Sequence, residues 1–174
     1  MFEIVDSKFL YSIKKNKNKS CNKLRLFKKS ERNNLIFKCN FWPGNGYTVV
    51  HKNHTSLNTL FGIKRFFKFD FIKIVWNPIL DRNDYIKIYL NWVENKKIYS
   101  QYICSTKIGS YFTLKISNTL SNKTEASINN ISISINYLFP KVAYFLYPSI
   151  SNNIKADDLI IVYMEPLKII SEDI

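Results

Sequence analysis

Between Tyr85 and Ser117 the chain passes through three apolar-alternating segments in succession, residues 85–93, 98–104 and 111–117, joined by short polar turns. A period of two sends successive side chains to opposite faces of an extended strand, so each segment buries one face and leaves the other in water. In the first, Ile86, Ile88, Leu90 and Trp92 share a face opposite Lys87, Tyr89 and Asn91; in the third, Phe112, Leu114 and Ile116 oppose Thr113, Lys115 and Ser117. Such a succession predicts an antiparallel β-sandwich.

The rest of the chain extends the pattern. Residues 24–27 form a short strand candidate, and residues 35–41 read as a strand burying Leu35, Phe37, Cys39 and Phe41, closed by the turn signal Trp42-Pro43-Gly44-Asn45-Gly46. From Lys64 to Trp76 the alternation changes phase: Phe67, Phe69 and Phe71 hold odd positions, then Ile72, Ile74 and Trp76 hold even ones. A β-bulge, or a strand bending from one sheet to the other, accounts for such a slip. A long run ends at Tyr137 with Ile131, Ile133 and Ile135 on one buried face, and runs at 142–147 and 159–163 follow. About ten strands result, with no apolar stripe of helical period. The expected fold is all-β, an antiparallel sandwich of jelly-roll or concanavalin-like type. With 174 residues, 46% of them apolar, the chain forms one domain with a real core. Its parts are a basic arm and edge strand at 1–34, the sandwich at 35–165 and a tail at 166–174.

The net charge is +13 and the pI near 9.6. Lys14, Lys15, Lys17, Lys19, Lys23, Arg25, Lys28, Lys29 and Arg32 make residues 13–34 the densest positive segment. One reading is a solvated arm whose lysines protect an edge strand from aggregation. The other is a contact surface for an acidic partner. Abundant Asn, Lys and Ile fit an AT-rich coding bias, which also raises the lysine count and makes the sequons at Asn18, Asn53, Asn122 and Asn130 chance matches. Three cysteines without C-x-x-C spacing support neither a disulfide framework nor structural zinc, and place the chain in a reducing compartment. Neither a signal peptide nor a membrane-spanning apolar run is visible.

Hydrolysis of sugars by jelly-roll enzymes calls for carboxylates paired from one strand face, and none of the thirteen acidic residues alternate that way. Asp157 and Asp158 read as strand entry, and Asp81 and Asp84 as turn residues. His51 and His54 lack a third ligand, and Cys104-Ser105 lacks a partner in sequence. No enzymatic activity, no metal and no cofactor are therefore expected. Among binding surfaces, Trp42 and Tyr47, flanking the Pro-Gly turn, are the candidate glycan contacts, while Trp92 falls on a core face. The basic, aromatic stretch at 63–68 has a composition compatible with nucleic acid.

The order of Lys73-Ile74-Val75-Trp76-Asn77-Pro78, Asp81-Arg82 before Ile86-Lys87-Ile88, Tyr102-Ile103-Cys104-Ser105, Tyr111-Phe112-Thr113-Leu114-Lys115-Ile116, and Tyr144-Phe145-Leu146-Tyr147-Pro148 before Asp158-Leu159-Ile160-Ile161 resembles small jelly-roll proteins of tailed phages and prophages of gut Bacteroidota. The resemblance covers roughly residues 35–165. The Gly-Gly loop and Pro-His that follow Tyr-Pro in those proteins are replaced here by residues 149–156. The resemblance implies a non-enzymatic, virion-associated structural or capsid-decoration protein, assembled in the bacterial host cytoplasm, contacting other virion subunits and compatible with an oligomer. Lectin-like carbohydrate binding is the alternative, and a basic nucleic-acid-associated protein the next.

Overall fold

The structure, a computed structural model, describes residues 10–13, 26–28, 34–42, 57–65, 68–79, 82–118, 123–137, 142–150 and 160–166. Among these residues the regular structure is all strand: β1 (Leu10–Ile13), β2 (Leu26–Lys28), β3 (Asn34–Trp42), β4 (Asn58–Arg65), β5 (Phe71–Ile79), β6 (Arg82–Glu94), β7 (Lys97–Lys107), β8 (Phe112–Asn118), β9 (Thr124–Ile128), β10 (Ile131–Ile135), β11 (Val142–Leu146) and β12 (Ile160–Pro166). They form two antiparallel sheets, one ordered β1-β12-β3-β8-β9-β10 and the other β2-β11-β4-β5-β6-β7. The jelly-roll sandwich expected from the alternation is therefore the observed architecture.

The alternation of each strand decides which side faces the other sheet. Leu35, Phe37, Cys39 and Phe41 of β3 and Phe112, Leu114 and Ile116 of β8 meet Ile72, Ile74 and Trp76 of β5 and Ile86, Ile88 and Leu90 of β6 in one core. Aromatic rings lock the sheets together: Phe37 lies 4.5 Å from Phe61, and Phe41 meets Trp76 edge-on at 4.9 Å. Cys39 and Cys104 are buried free thiols, as small hydrophobes in a core are. Burial raises the pKa of both, which keeps them as unreactive thiols.

Three features depart from the sequence reading. The phase change after Lys64 is a turn rather than a bulge: β4 ends at Arg65, β5 begins at Phe71, and the Arg65 N–H donates to the Asp70 carbonyl at 2.9 Å. Aromatic residues run through this turn without Gly or Pro to mark it. The register shifts lie elsewhere, at Thr59/Phe61, Pro78/Ile79 and Ile88/Tyr89. The long run ending at Tyr137 is a hairpin, β9 and β10, turning through Asn129-Asn130, where Asn129 has a φ of 51°. That turn places β10 at the sheet edge, so Ile135 is buried and Ile133 half-buried while Ile131 is 51% exposed, against the expectation of burial for all three. Finally, β1 has no sequence signal beyond its buried Tyr11 and Ile13; it is recruited by pairing with β12. Among the described residues no helix is long and apolar enough to cross a membrane.

Candidate functional site

The side of the first sheet that faces away from the core carries a group of chemically useful side chains. Because Cys39 and Phe41 point into the core, Lys38 and Asn40 of β3 point out; the same alternation turns Tyr163 and Glu165 of β12 and Thr113 and Lys115 of β8 outward. Register aligns them in rows. Tyr163 pairs with Asn40, and Glu165 with Lys38, which itself pairs with Thr113; Ile36 pairs with Lys115, and Lys115 with Ser127. Tyr111 precedes Phe112, the partner of Cys39, and so stands level with Asn40 on the opposite side from Tyr163.

Two phenols thus flank one carboxamide. The Tyr111 and Tyr163 rings meet edge-on at 5.8 Å, and the Lys38 ammonium lies 4.6 Å from the Tyr111 ring centroid. Tyr163 donates its hydroxyl proton to Glu165 Oε2 at 2.8 Å. That hydrogen bond first, then partial burial and the negative charge of Glu165, lift the Tyr163 pKa above its ordinary value. The phenol therefore stays protonated beyond the normal tyrosine range. Tyr111 is 52% exposed and open to a ligand.

Asn40 is only 4% exposed. Its Nδ2 donates to the Gly109 carbonyl at 3.0 Å, and the Gly109 N–H in turn bonds the Phe41 carbonyl at 2.9 Å, so the β7–β8 turn is tied to β3. Gly109 has a φ of 87°, a conformation that a side chain disfavours, and this lets the turn fold back against the strand. Asn40 Oδ1 has no hydrogen-bond partner among the described residues. A buried acceptor in that state costs free energy, offset here by the bond that Asn40 Nδ2 makes to the Gly109 carbonyl.

Few of the residues singled out in the sequence lie among the described ones. Of the basic arm, Lys28 lies in β2 by its backbone, where it pairs with Val142. Lys14, Lys15, Lys17, Lys19, Lys23, Arg25, Lys29 and Arg32 lie outside the described residues, as do Tyr47, His51, His54, Asp157 and Asp158. Trp42 closes β3 in register with Ile161, two positions beyond Asn40 on the same strand. Trp92 is half-buried against the core and stacks on Tyr99 at 5.5 Å. No group of three His, Cys, Asp or Glu residues that could hold a metal occurs among the described residues. Sequence reasoning missed Tyr111, Tyr163, Glu165, Lys38 and Asn40 as a group, because they come from three strands. Their one local signal was the polar phase of β3 inside an otherwise apolar run.

No family model matches the chain, and no curated protein matches it. Among solved structures, the chain is similar to an alginate lyase of Pseudomonas aeruginosa, with a TM-score of 0.55 at 10% identity over 75% of this chain and 61% of that one. It is also similar to an alginate lyase of an Alteromonas species, with a TM-score of 0.51 at 10% identity over 76% of this chain and 67% of that one. At such identity the likeness establishes the fold. The chain spans about three fifths of the length of the first of these enzymes.

This likeness corrects two expectations. The virion-decoration role rested on a jelly-roll resemblance, and the architecture is one that alginate lyases share, so it does not lead to a virion. The expected absence of enzymatic activity rested on missing carboxylate pairs. That argument addresses hydrolysis alone: a lyase breaks its bond by elimination, for which phenols and a single carboxylate suffice as proton carriers. The lectin-like alternative, by contrast, is compatible with a fold that two alginate lyases share.

Proposed function

We propose that the protein binds an acidic polysaccharide across the outer face of the β1-β12-β3-β8-β9-β10 sheet, with Tyr111 and Tyr163 at the centre. The observation that carries this reading is the edge-on phenol pair over buried Asn40, flanked by the Lys38 cation. The exposed Tyr111 ring takes the C–H face of a pyranose, with the half-buried Tyr163 ring beside it, and Lys38 attracts a carboxylate. Thr113 and Lys115 continue the polar surface along the sheet, giving a polymer more than one point of contact. Alginate, the polyuronate named for both structural neighbours, has this chemistry.

The Tyr163 hydroxyl, hydrogen-bonded to Glu165 on the same face, supports a second step, cleavage by β-elimination. In that reaction a base removes the proton beside the uronate carboxylate, a C=C bond forms, the glycosidic C–O bond breaks, and the departing oxygen takes a proton from an acid. Tyr163 is the proton donor in this scheme, turning its hydroxyl from Glu165 to the departing oxygen.

Titration calorimetry with alginate and with neutral dextran, at low and high salt, tests the binding. Alginate should bind at least about tenfold more tightly and weaken as salt screens Lys38. Equal binding of both polymers, or of neither, refutes the reading. Growth of ultraviolet absorbance from an unsaturated uronate, lost in Tyr163→Phe, establishes elimination; tight binding without that absorbance confines the function to recognition.

A further inference from the structure

The opposite end of the sandwich holds a separate concave site. A cleft of about 350 Å³ lies between the β4–β5 turn, the β6–β7 hairpin and the chain leaving β10, lined by Arg65, Phe69, Asp70, Asn95, Asn136 and Tyr137, among others. β7 starts at Lys97, next in sequence to Lys96 of this cleft, and ends at Lys107, two residues before Gly109 of the phenol site, so the length of a strand separates the two.

Its wall is built rather than incidental. Tyr137, itself buried, donates to Asp70 Oδ1 at 2.8 Å, and Arg65 Nε contacts Asp70 Oδ2 at 3.1 Å. Both carboxylate oxygens are thereby engaged, and the guanidinium is held in one plane with further N–H groups on its Nη atoms. Asn95 and Lys96 form the tight hairpin turn, with φ of 51° and 62°, which fixes their place on the rim. Phe69 is 57% exposed, and Phe71 supports its ring edge-on at 5.7 Å.

We infer that this cleft is a second binding site, specific for a single carboxylated sugar unit, with Phe69 stacking on the pyranose, Arg65 and Lys96 pairing with the carboxylate, and Asn95 and Asn136 bonding the hydroxyls. An aromatic platform alone would suit any sugar; a planar guanidinium anchored on its Nε side adds preference for a carboxylate. The volume is at the small end for ligand pockets and suits one or two sugar rings. This inference is independent of the outer-face reading, since no residue is common to the two sites.

Amide chemical-shift mapping with galacturonate, galactose and acetate as probes tests it. Galacturonate should move the amides of Phe69, Asn95, Lys96 and Asn136, and galactose should bind about tenfold more weakly for want of the carboxylate. Phe69→Ala, a substitution of an exposed ring, should weaken galacturonate about tenfold while leaving alginate binding to the phenol face unchanged. Tyr111→Ala, which removes the exposed ring of the phenol face, should do the reverse. Cleft amides that do not move, shifts that survive Phe69→Ala unchanged, or shifts that acetate reproduces would each overturn the assignment. Galacturonate shifts centred on Tyr111 and Tyr163 would place it on the outer face instead, and likewise refute the cleft.

Discussion

Tyr137 and Asp70, 67 residues apart in sequence, are joined by a 2.8 Å hydrogen bond that ties the end of β10 in one sheet to the β4–β5 turn in the other. Asp70 is also held by the Arg65 side chain and, through its carbonyl, by the Arg65 backbone. The link therefore closes one end of the sandwich, where strand pairing within either sheet cannot reach.

Removing the hydroxyl with Tyr137→Phe should destabilise the fold by about 1–3 kcal/mol, the usual range for a buried hydrogen bond to a charged group. Burial first, then the bond to Asp70 and its charge, raise the Tyr137 pKa, while Arg65 opposes the rise. A phenol whose folded pKa exceeds its unfolded one contributes stability that is whole below the unfolded value, near about 10, and is lost as pH climbs from there toward the folded value. Denaturant midpoints should thus fall above about pH 10 in the wild type, and more shallowly in Tyr137→Phe. Parallel slopes would show that the phenol is not the titrating group.

Leu114 and Ile131 separate true core from edge. Both sit in apolar-alternating runs, yet Leu114 is fully buried and Ile131 half open to water. Leu114→Ala should cost about 2–5 kcal/mol, since the methyl groups removed leave a cavity between the sheets. Ile131→Ala should cost less than about 1 kcal/mol. Chemical denaturation of the two variants checks the contrast, and similar losses would contradict the edge position of β10.

That contrast also marks what the sequence shows. Burial of Ile86, Ile88, Leu90, Phe112, Leu114 and Ile116 follows from strict alternation, because a period of two fixes the face whatever the neighbour. The position of Ile131 does not, since it depends on where β10 falls in the sheet, a non-local outcome. Asn129-Asn130 could have revealed the hairpin, as asparagine tolerates the positive φ the turn needs. The phenol site was illegible for a stronger reason: Tyr163 and Asn40 are neighbours only through the β12–β3 register. Trp42 and Tyr47 carry a local signal, the Pro-Gly turn between them, that Tyr111 and Tyr163, on separate strands, lack.

Gly62 tests packing on the outer face of the second sheet. It pairs with Lys73, and a Cβ at Gly62 would lie 2.5 Å from Lys73 Cβ and 2.6 Å from the Ile72 carbonyl oxygen. Neither is the movable end of a side chain, so the β4–β5 pairing must shift. Gly62→Ala should destabilise by about 1–3 kcal/mol, despite the better strand propensity of alanine. Burial, with Lys64 nearby, also lowers the Lys73 pKa, a sign of how closely that lysine is covered. A thermal midpoint equal to the wild type would mean that the strands yield at no cost.

The last expectation concerns the proton on Tyr163. Its raised pKa is owed first to the hydrogen bond with Glu165, and that cause is removable without disturbing the strand. Glu165→Gln keeps an acceptor at nearly the same place but deletes the negative charge, so phenolate formation at Tyr163 should move to lower pH. Difference absorbance between each protein and its Tyr163→Phe counterpart isolates this phenol from the other tyrosines. If Tyr163 donates a proton to a departing sugar oxygen, the alkaline limit of any eliminative activity should move down with the phenol in Glu165→Gln. A titration that moves while the activity limit stays fixed would leave Tyr163 a binding residue and assign the proton to another group.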